Sequence, residues 1–407
     1  MDNAPPMLAE PASEAAGDGP PQRLRICLIY DSLHPYRIGG AERWYHGLAD
    51  KLAIAGHQVT YLTMRQWDRG ATGRHPTAEV VAVGPWMENY RADGRRTMLP
   101  PLLFGLGVLV HLLRHGRRYD VVHTSSFPYF SVLAAAIARP FAGYRIVVDW
   151  LEFWSRSYWR SYLGPMGAVG WAVQRACLAV RQHAFCLAEL TAERLRANHV
   201  NGEVEVLTGL YAGDLSARAP ATAELSVLFA ARLIPEKRLA LAIEAIALAR
   251  RELPQLEARV FGRGPEWDNA AQLIAELGLS DVIEMTDFVE RPVLEAAMAR
   301  SLCLLHPSSR EGYGLVVVEA SAAGLPSILV AGEDNAATEL VSDGVNGVVA
   351  AEPSPEQLAD AIVRVHRSGQ ALRASTAEWF AANAARLSID GSLSKVVASY
   401  GSSAGRN

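Results

Sequence analysis

Short apolar runs alternate with longer amphipathic or small-residue stretches along most of the chain. Residues 25–30, 58–63 and 79–83 are predicted strands, and residues 42–55 are a predicted helix between the first two. Continuous apolar runs of this length are typical of strands that are buried on both faces of a parallel sheet. The alternation therefore predicts a doubly wound α/β domain, with functional residues at the carboxyl ends of its strands.

The same alternation continues and then restarts. Further strands are predicted at 119–123, 145–149 and 184–188, with helices at 98–115, 131–138 and 167–183. After a polar stretch at 209–222, strands are predicted at 225–230, 258–261, 282–285, 302–305, 327–330 and 347–350, with helices at 239–250, from Pro355 and at 393–400. The pattern predicts two similar α/β domains joined by a linker.

The chain length agrees with this division, since 407 residues are enough for two domains of ordinary size. Residues 1–22 are rich in Ala, Pro and Glu without an apolar period, and we expect them to be disordered. We assign 23–213 to the first domain, 214–384 to the second, and 385–407 to a terminal helix that returns to the first domain.

The net charge of −4 conceals an asymmetry between the two halves. Residues 23–213 carry 22 Lys and Arg against 14 Asp and Glu, whereas residues 214–407 carry 17 against 25. A basic first half indicates anionic ligands or membrane lipid, and compositional drift is an equally good explanation. We expect no nucleic-acid partner.

Cysteine usage and hydropathy favour a cytoplasmic protein. Each of the four cysteines lies in an apolar run and none has a paired spacing, which is typical of reduced, buried thiols rather than of disulfides or metal ligands (Cys27, Cys177, Cys186 and Cys303). The N-terminus lacks a secretory signal pattern, and no segment reaches the length of a membrane span. The leucine-rich helix that ends near Arg114, Arg117 and Arg118 either contacts an anionic membrane or is a buried domain helix.

Two glutamates eight positions apart frame the most informative stretch, residues 308–321. Glu311 heads a glycine-bracketed turn, and Glu319 lies one to two turns into the apolar run that follows. If a helix begins near Leu315, the backbone N–H groups of residues 313–316 form an anion site at its positive end. A carboxylate on each side could then hold the hydroxyls of a sugar phosphate. An ordinary loop-to-helix junction with two solvated glutamates also explains the spacing, and on the spacing alone it is the preferred explanation.

Several motifs together resemble the retaining nucleotide-sugar glycosyltransferases of group 1, also called family 4. The resemblance rests on residues 231–237 (ARLIPEK), 262–266 (GRGPE), 311–319 and 39–42 (GGAE), which occur in the order and at the approximate intervals of that family. It covers residues 24–350 and implies the GT-B fold, in which two Rossmann-like domains face each other across a cleft. The first domain would take the acceptor and the second the nucleotide sugar.

The resemblance also implies roles for individual residues. Arg232 and Lys237 would stabilise the charge on the leaving diphosphate, Glu311 would hold the donor sugar and Glu319 the ribose. These three, Arg232, Lys237 and Glu311, are the expected catalytic residues. Backbone or close-approach contacts to the donor are implied for Gly39, Gly40, Gly262, Gly264, Val289, Gly312, Tyr313, Gly314 and Leu315. No Asp-x-Asp pair is present to hold a divalent metal, so we expect neither metal nor cofactor.

The candidate residues on the acceptor side do not form a spaced motif like those on the donor side. His123, Trp150, Glu152 and Trp154 are the candidates there, because aromatic rings stack on sugar faces; the same cluster could be part of a core. Relatives that share this aromatic stretch commonly have a histidine where this chain has Leu151, which puts one donor contact in doubt. His123 is the nearest substitute.

The function predicted from these residues is the metal-independent, retaining transfer of a hexosyl unit from a UDP- or GDP-type sugar. The acceptor would be a glycan, a lipid-linked molecule or a small molecule, and the location would be the cytoplasm or the inner face of the cell membrane. A nucleotide-sugar epimerase or phosphorylase of the same fold, and a non-catalytic sugar-binding protein, are the alternatives. For a phosphorylase, the only lysines after the linker, Lys237 and Lys395, do not lie in the setting of a pyridoxal lysine.

Overall fold

A seven-stranded, wholly parallel sheet forms the centre of the first domain. The structure is a computed structural model that describes residues 23–37, 39–68, 70–87, 97, 99–216 and 222–401. The strands are β1 (Arg25–Ile29), β2 (Gln58–Met64), β3 (Glu79–Gly84), β4 (Val121–Ser125), β5 (Arg145–Trp150), β6 (Gln182–Cys186) and β7 (Gly202–Val206). Their spatial order is β3-β2-β1-β4-β5-β6-β7, the order of a doubly wound domain.

Helices cover both faces of this sheet. They are α1 (Gly40–Ile54), α2 (Leu99–His115), α3 (Phe130–Ala142), α4 (Arg156–Leu163), α5 (Gly167–Ala179) and α6 (Glu189–Ala197). Strands β1, β2, β4, β5 and β6 are buried almost throughout, as their apolar sequences require, whereas the edge strands β3 and β7 are partly exposed.

A second parallel sheet of six strands forms the second domain. Its strands are β8 (Ser226–Ala230), β9 (Glu257–Phe261), β10 (Ile283–Thr286), β11 (Cys303–His306), β13 (Ser327–Val330) and β15 (Gly347–Ala350), in the order β10-β9-β8-β11-β13-β15. Beyond it, β12 (Arg310–Glu311) and β14 (Asp334–Asn335) form a small separate ribbon. The flanking helices are α7 (Leu239–Ala249), α8 (Trp267–Glu276), α9 (Arg291–Arg300), α10 (Leu315–Ala322), α11 (Pro355–Leu387, interrupted at Gly369) and α12 (Ile389–Gly401).

The order of the elements confirms the predicted fold of two doubly wound parallel sheets, but the local structure differs from the predictions in several places, and helices α6 and α8 were not predicted. The predicted helix at 167–183 ends earlier, because α5 stops at Ala179 and His183 lies in β6. Helix α4 forms inside the aromatic stretch, where the Ser155 hydroxyl accepts a hydrogen bond from the Tyr158 N–H and caps its first turn. Strand β7 was not predicted, because its GEVEV sequence alternates on an exposed edge.

The chain passes between the domains twice, and the two passages touch. Tyr211 donates its N–H to the Leu387 carbonyl (2.9 Å) and accepts from the Ile389 N–H through its own carbonyl (2.9 Å). The Thr208 hydroxyl donates to the Arg386 carbonyl at 3.0 Å. The connection predicted at 209–222 therefore begins beside the end of α11; its residues 217–221 lie outside the described part.

Helix α12 packs on α1 of the first domain. The Leu393 side chain lies against Gly47, and Lys51 pairs with Asp390 at 2.8 Å. Further along, the Tyr400 hydroxyl lies 2.5 Å from His123 Nδ1 in the sheet core.

Helix α2 packs its inner side on α3 and leaves an apolar stripe in solvent. Between 36% and 57% of the surface of each side chain in the stripe is exposed (Leu99, Leu102, Leu106, Val110 and Leu113). By length and composition alone, Leu99–Arg118 is the one stretch among the described residues that could cross a membrane. Because Phe104, Val108 and Leu112 on its other side are buried in the domain core, we treat α2 as a domain helix with one exposed face.

Candidate active site

The carboxyl ends of three neighbouring strands of the second sheet carry the predicted catalytic and glycine motifs. Arg232 follows β8, Gly262 follows β9, and His306 ends β11, five residues before Glu311. Because these strands are parallel and adjacent, their carboxyl ends meet at one edge of the sheet. The structure thus brings together motifs that are up to about eighty residues apart in the sequence.

The loops after β8 and β9 are fastened to each other. The Leu233 N–H donates to the Arg263 carbonyl, and the Glu266 N–H donates to the Leu233 carbonyl, both at 3.0 Å. This arrangement fixes Gly262 and Gly264 beside the Arg232 loop. The Arg232 side chain itself is exposed.

Lys237, Glu311 and His306 form a compact charged cluster at this edge. Lys237 Nζ donates to Glu311 Oε1, and His306 Nε2 lies 2.5 Å from the same oxygen. The Ser308 hydroxyl lies 3.1 Å from that His306 nitrogen. The side chains of Lys237, Glu311 and His306 are 15%, 13% and 2% exposed, so the cluster is largely shielded from water.

The cluster keeps Glu311 ionised. Burial by itself would raise the pKa of the Glu311 carboxyl, but His306 and Lys237 together outweigh that effect through charge and hydrogen bonding and hold the pKa well below its ordinary value. A carboxylate with so low a pKa is a weak base and nucleophile. It is well suited to accept hydrogen bonds from hydroxyl groups.

The turn after Glu311 depends on two glycines. Gly314, the residue before α10, has φ 94°, a left-handed conformation that favours glycine. A Cβ on Gly312 would lie 2.4 Å from Glu152 Cγ and 2.5 Å from the Leu151 carbonyl oxygen, so only glycine allows the first domain to approach here. Leu315 begins α10, whose first N–H groups lack acceptors within the helix.

Tyr313 and Glu319 lie on either side of this helix start. The Tyr313 ring is buried, and its hydroxyl donates to the Thr208 carbonyl at 2.7 Å, where the chain passes between the domains. Burial raises the pKa of the Glu319 carboxyl, and Arg43 and Arg291 oppose that rise. Since Arg43 is on α1, the first domain adds positive charge near Glu319.

The opposite wall comes from the aromatic stretch after β5. The Glu152 carboxylate pairs with Arg310, the residue before Glu311, and accepts a hydrogen bond from Trp154 Nε1 at 3.0 Å. The Arg310 guanidinium lies 4.6 Å from the Trp154 ring centre and 4.2 Å from that of Tyr158. Burial lowers the pKa of Arg310 to about 10. Two predicted acceptor-side residues, Glu152 and Trp154, therefore lie next to the Glu311 loop.

Other contacts close the cleft on either side of this pair. The Tyr158 hydroxyl donates to Glu236 Oε1 at 3.0 Å. Arg194 of α6 pairs with Asp334 of β14 at 2.6 Å. The Glu339 carboxylate accepts two N–H groups at the start of α6, at 2.8 and 2.9 Å, and so caps a helix of the other domain.

Three further residues that are predicted to contact the donor lie outside the Lys237–Glu311–His306 cluster. Gly39 and Gly40 are the N-cap and first residue of α1, and no side chain caps that end. Val289 lies between β10 and α9, is partly buried, and packs against buried hydrophobic residues of the core. Their contacts with a donor remain predictions.

His123 and Trp150, predicted on the acceptor side, are fully buried and present no surface to a ligand. His123 lies between Asp149, at 2.8 Å from its Nε2, and Tyr400, and Asp149 also accepts from Trp44 Nε1 at 2.8 Å. Trp150 Nε1 donates to Gln182 at 2.8 Å. Both residues lie in strands covered on both faces, and their polar neighbours belong to the core. His123 therefore does not replace the histidine expected at Leu151.

Sequence reasoning did not assign His306, Arg310 or Arg43 to the site. His306 had a usable signal, because it ends a buried strand five residues before Glu311. The role of Arg310 depends on Glu152 and Trp154, which are more than 150 positions away in the sequence, and no local pattern shows such a contact.

Comparisons with known proteins agree with this geometry. Residues 38–209 match the profile of Glycosyltransferase Family 4, and residues 217–383 match that of Glycosyl transferases group 1. Over 350 residues the chain is 24% identical to a phosphatidylinositol N-acetylglucosaminyltransferase protein of Arabidopsis thaliana, a match that covers 84% of this chain and 74% of that protein. It is also 35% identical to an exopolysaccharide phosphotransferase of Streptomyces coelicolor over 137 residues, which are 33% of this chain and 14% of that protein.

A solved structure, Anabaena HepE in complex with UDP and glucose, superposes with a TM-score of 0.66 at 19% identity, over 93% of this chain and 100% of that one. The two profiles lie in tandem on the two sheets and together cover most of the chain. The chain therefore belongs to the group 1 glycosyltransferases and has their GT-B fold.

Proposed function

We propose that this protein is a retaining glycosyltransferase that moves a hexosyl unit from a UDP- or GDP-type sugar to a hydroxyl group. The acceptor is a glycan, a lipid-linked molecule or a small molecule. The observation that carries the proposal is the Lys237–Glu311–His306 cluster at the strand edge, beside the exposed Arg232. In this cluster a positively charged side chain lies next to a carboxylate that accepts hydrogen bonds, and both are largely shielded from water.

The cations serve the leaving group. When the bond to the sugar breaks, negative charge develops on the diphosphate, and Arg232 and Lys237 stabilise it together with the N–H groups at the start of α10. Lys237 is held in place by Glu311, and its ammonium would contact a phosphate oxygen of the bound donor. With these cations in place, the reaction needs no divalent metal at the phosphates.

The carboxylates of Glu319 and Glu311 bind the ribose and the transferred sugar of the donor. Glu319 has a raised pKa because burial is incompletely offset by Arg43 and Arg291, and two ribose hydroxyls would supply the missing hydrogen bonds. Glu311 accepts hydrogen bonds from hydroxyls of the transferred sugar, since its low pKa keeps it ionised.

The chemical step follows from this arrangement. The bond between the anomeric carbon and the phosphate oxygen breaks while the acceptor oxygen attacks from the same face. The proton of the acceptor hydroxyl passes to the leaving phosphate oxygen, which is the strongest nearby base. Glu311 is unsuited to form a covalent intermediate, because both its charge and its Oε1 are engaged by Lys237 and His306. The product therefore keeps the anomeric configuration of the donor.

We also propose that α2 and α3 rest on an anionic membrane. The exposed stripe of α2 is continued by Ile137 and Phe141 of α3, which are 55% and 63% exposed, and Arg117 donates to the Phe141 carbonyl at 3.0 Å. The exposed leucines can enter the apolar part of a bilayer surface, and the neighbouring exposed Arg114, Arg117 and Arg118 can bind its anionic headgroups. The Arabidopsis relative, named for phosphatidylinositol, supports a lipid-linked acceptor.

The function is tested with the purified full chain in two stages. UDP- and GDP-linked glucose, galactose, mannose and N-acetylglucosamine are first compared for their effect on the melting temperature, because the ligand that binds best stabilises most. Transfer from the best donor is then measured against lipid, glycan and sugar acceptors, and the anomeric configuration of the product is read by NMR. An inverted product would overturn the mechanism, stabilisation without transfer would indicate a binding protein, and no stabilisation by any donor would overturn the assignment.

A further inference from the structure

Three histidine rings lie in a row at the rim of the first domain. The His34 and His46 ring centres are 4.8 Å apart, and those of His46 and His75 are 4.4 Å apart. His46 is on α1, His34 is in the loop between β1 and α1, and His75 is in the loop between β2 and β3. Three separate segments of the chain therefore converge here.

Asp50 completes the cluster one turn further along α1. Its Oδ2 lies 3.6 Å from His46 Nε2, and its Oδ1 accepts a hydrogen bond from the Thr77 hydroxyl at 2.7 Å. The same hydroxyl lies 3.2 Å from His75 Nδ1. One atom from each of His46, Asp50 and His75 lies within 4.8 Å of the others.

The rings have nitrogen atoms that the protein does not use. His34 Nδ1, His46 Nδ1 and His75 Nε2 are all shielded from solvent and have no hydrogen-bond partner among the described residues. Buried polar atoms are ordinarily paired, and several unpaired nitrogens in one place need an explanation.

We propose that His46, His75 and Asp50 bind a divalent transition metal of the zinc type. Two imidazoles and a carboxylate are a usual ligand set for Zn²⁺, and a tetrahedral ion at about 2.0–2.1 Å from its ligands places them about 3.3 Å apart. His46 Nε2 and Asp50 Oδ2 lie 3.6 Å apart, close to this value, and one ligand atom of each of the three residues lies within 4.8 Å of the others. The Thr77 hydroxyl orients both Asp50 and His75, as partners of metal ligands commonly do.

The metal would fasten the long loop between β2 and β3 to α1. Helix α1 begins at the cleft and carries Arg43 near Glu319, so the ion would stabilise a wall of the cleft from outside the chemical centre. The proposal does not depend on the donor or acceptor, and it departs from the expectation, drawn from the sequence, that the protein binds no metal.

The test uses the full chain without a polyhistidine tag, stripped with a chelator and then titrated with Zn²⁺ or Co²⁺. We expect one ion per chain and, with Co²⁺, the visible absorption of a four-coordinate site. His75→Gln and Asp50→Asn should each weaken Zn²⁺ binding at least about 100-fold, since even indirect partners of ligands contribute 10–100-fold. His366→Gln, a change at an exposed histidine on α11, should leave it unchanged.

A second measurement separates a bound ion from a fold defect. Arg74 is exposed in the loop beside His75, and Zn²⁺ should slow tryptic cleavage after Arg74 in the unmodified chain and in His366→Gln, but not in His75→Gln or Asp50→Asn. The melting temperatures of the metal-free variants show whether each one folds. Less than about half an ion per chain, or equal Zn²⁺ affinity in the unmodified chain and His75→Gln, would overturn the proposal.

Discussion

The carboxylate of Glu152, in the first domain, pairs with the guanidinium of Arg310, in the second. Arg310 directly precedes Glu311, and the planar group also packs on both the Trp154 and the Tyr158 ring. The residue next to the proposed sugar ligand is thus held by the other domain, so contacts between the two domains help to position the Glu311 loop.

Arg310→Lys tests this relationship. A lysine keeps the charge but cannot stack on two rings and pair with a carboxylate at once, so we expect kcat/KM to fall about 10–100-fold, the equivalent of about 1–3 kcal/mol. Steady-state transfer kinetics measure the effect. Arg364→Lys is the control, because Arg364 pairs with Asp343 at 2.8 Å on the exposed surface of the second domain. Equal activity of the two variants would contradict the role given to Arg310.

Glu311→Gln should reduce kcat about 100-fold or more, since the amide is a weaker acceptor toward a developing positive charge on the sugar. The change also leaves Lys237 and His306 without their counter-charge. We expect a loss of about 1–3 kcal/mol in the free energy of unfolding, less than for a fully buried pair because some solvent reaches the cluster.

The pH dependence distinguishes this loss from a packing defect. Because the pKa of Glu311 is lower in the folded protein, its stabilising contribution is complete above the ordinary carboxyl value of about 4.3 and is lost as the pH falls further. The difference in stability between the two proteins should therefore shrink below pH 4. A difference that stays constant with pH, or a similar loss in Glu333→Gln on the exposed surface, would contradict the assignment.

Glu319→Gln should have opposite effects on stability and on binding. Burial raises the pKa of Glu319, so its ionisation at neutral pH costs folding free energy, and the amide should raise the melting temperature of the ligand-free protein. At pH 4, where the native carboxyl is largely protonated, this gain should shrink. Donor affinity should fall about 10–100-fold, because hydrogen bonds to a charged acceptor are lost.

Isothermal titration with the preferred donor and melting curves at the two pH values measure these effects. Glu276→Gln on α8, an exposed carboxylate, provides the control. A variant with lower stability and unchanged donor affinity would contradict the ribose role.

Gly312→Ala should hold the cleft open. The added methyl group would lie 2.4 Å from Glu152 Cγ and 2.5 Å from the Leu151 carbonyl oxygen, so the two walls must separate. We expect at least about a tenfold loss of kcat/KM, because small displacements of reacting groups are costly, with little change in melting temperature. Gly332→Ala, where the nearest atoms lie 3.6 Å from the added carbon, should behave like the unmodified protein. Full activity of Gly312→Ala would show that the cleft need not close this far.

The exposed face of α2 is tested with vesicles. Leu106→Glu combined with Leu113→Glu should reduce binding to vesicles that contain anionic lipid about tenfold or more, since burying half of each leucine contributes about 1 kcal/mol. Co-sedimentation measures binding, and neutral vesicles should bind the unmodified protein less. Leu277→Glu places the same charge at a leucine that is 43% exposed in the second domain. Equal loss in that variant would contradict a specific membrane face.

The fold could be predicted from the sequence because it depends on local information. Strands such as Ser226–Ala230 are apolar runs whose burial in a parallel sheet follows from their composition. The Glu311 loop was also predictable, because its glycines and the start of α10 are set by neighbouring residues.

The opposite wall could not be predicted in the same way. In the stretch from Trp150 to Trp159, the Trp150 ring is fully buried in the core of the first domain, whereas the Trp154 ring, which is 8% exposed, packs on Arg310 of the second domain. Composition does not distinguish the two positions. His123 was misplaced for a related reason. Its partners, Asp149 and Tyr400, come from a neighbouring strand and from the last helix, so its burial depends on contacts that no short motif records.

The paired passages near Tyr211 and Leu387 have a mechanical consequence. Because both connections run side by side and are hydrogen-bonded to each other, one domain can turn relative to the other but cannot slide freely along it. Tyr313 is fastened to the same place, because its hydroxyl donates to the Thr208 carbonyl. The turn that carries Glu311 is therefore anchored where the chain passes between the domains, so a substitution at Thr208 or Tyr211 would be felt in the candidate site without touching it.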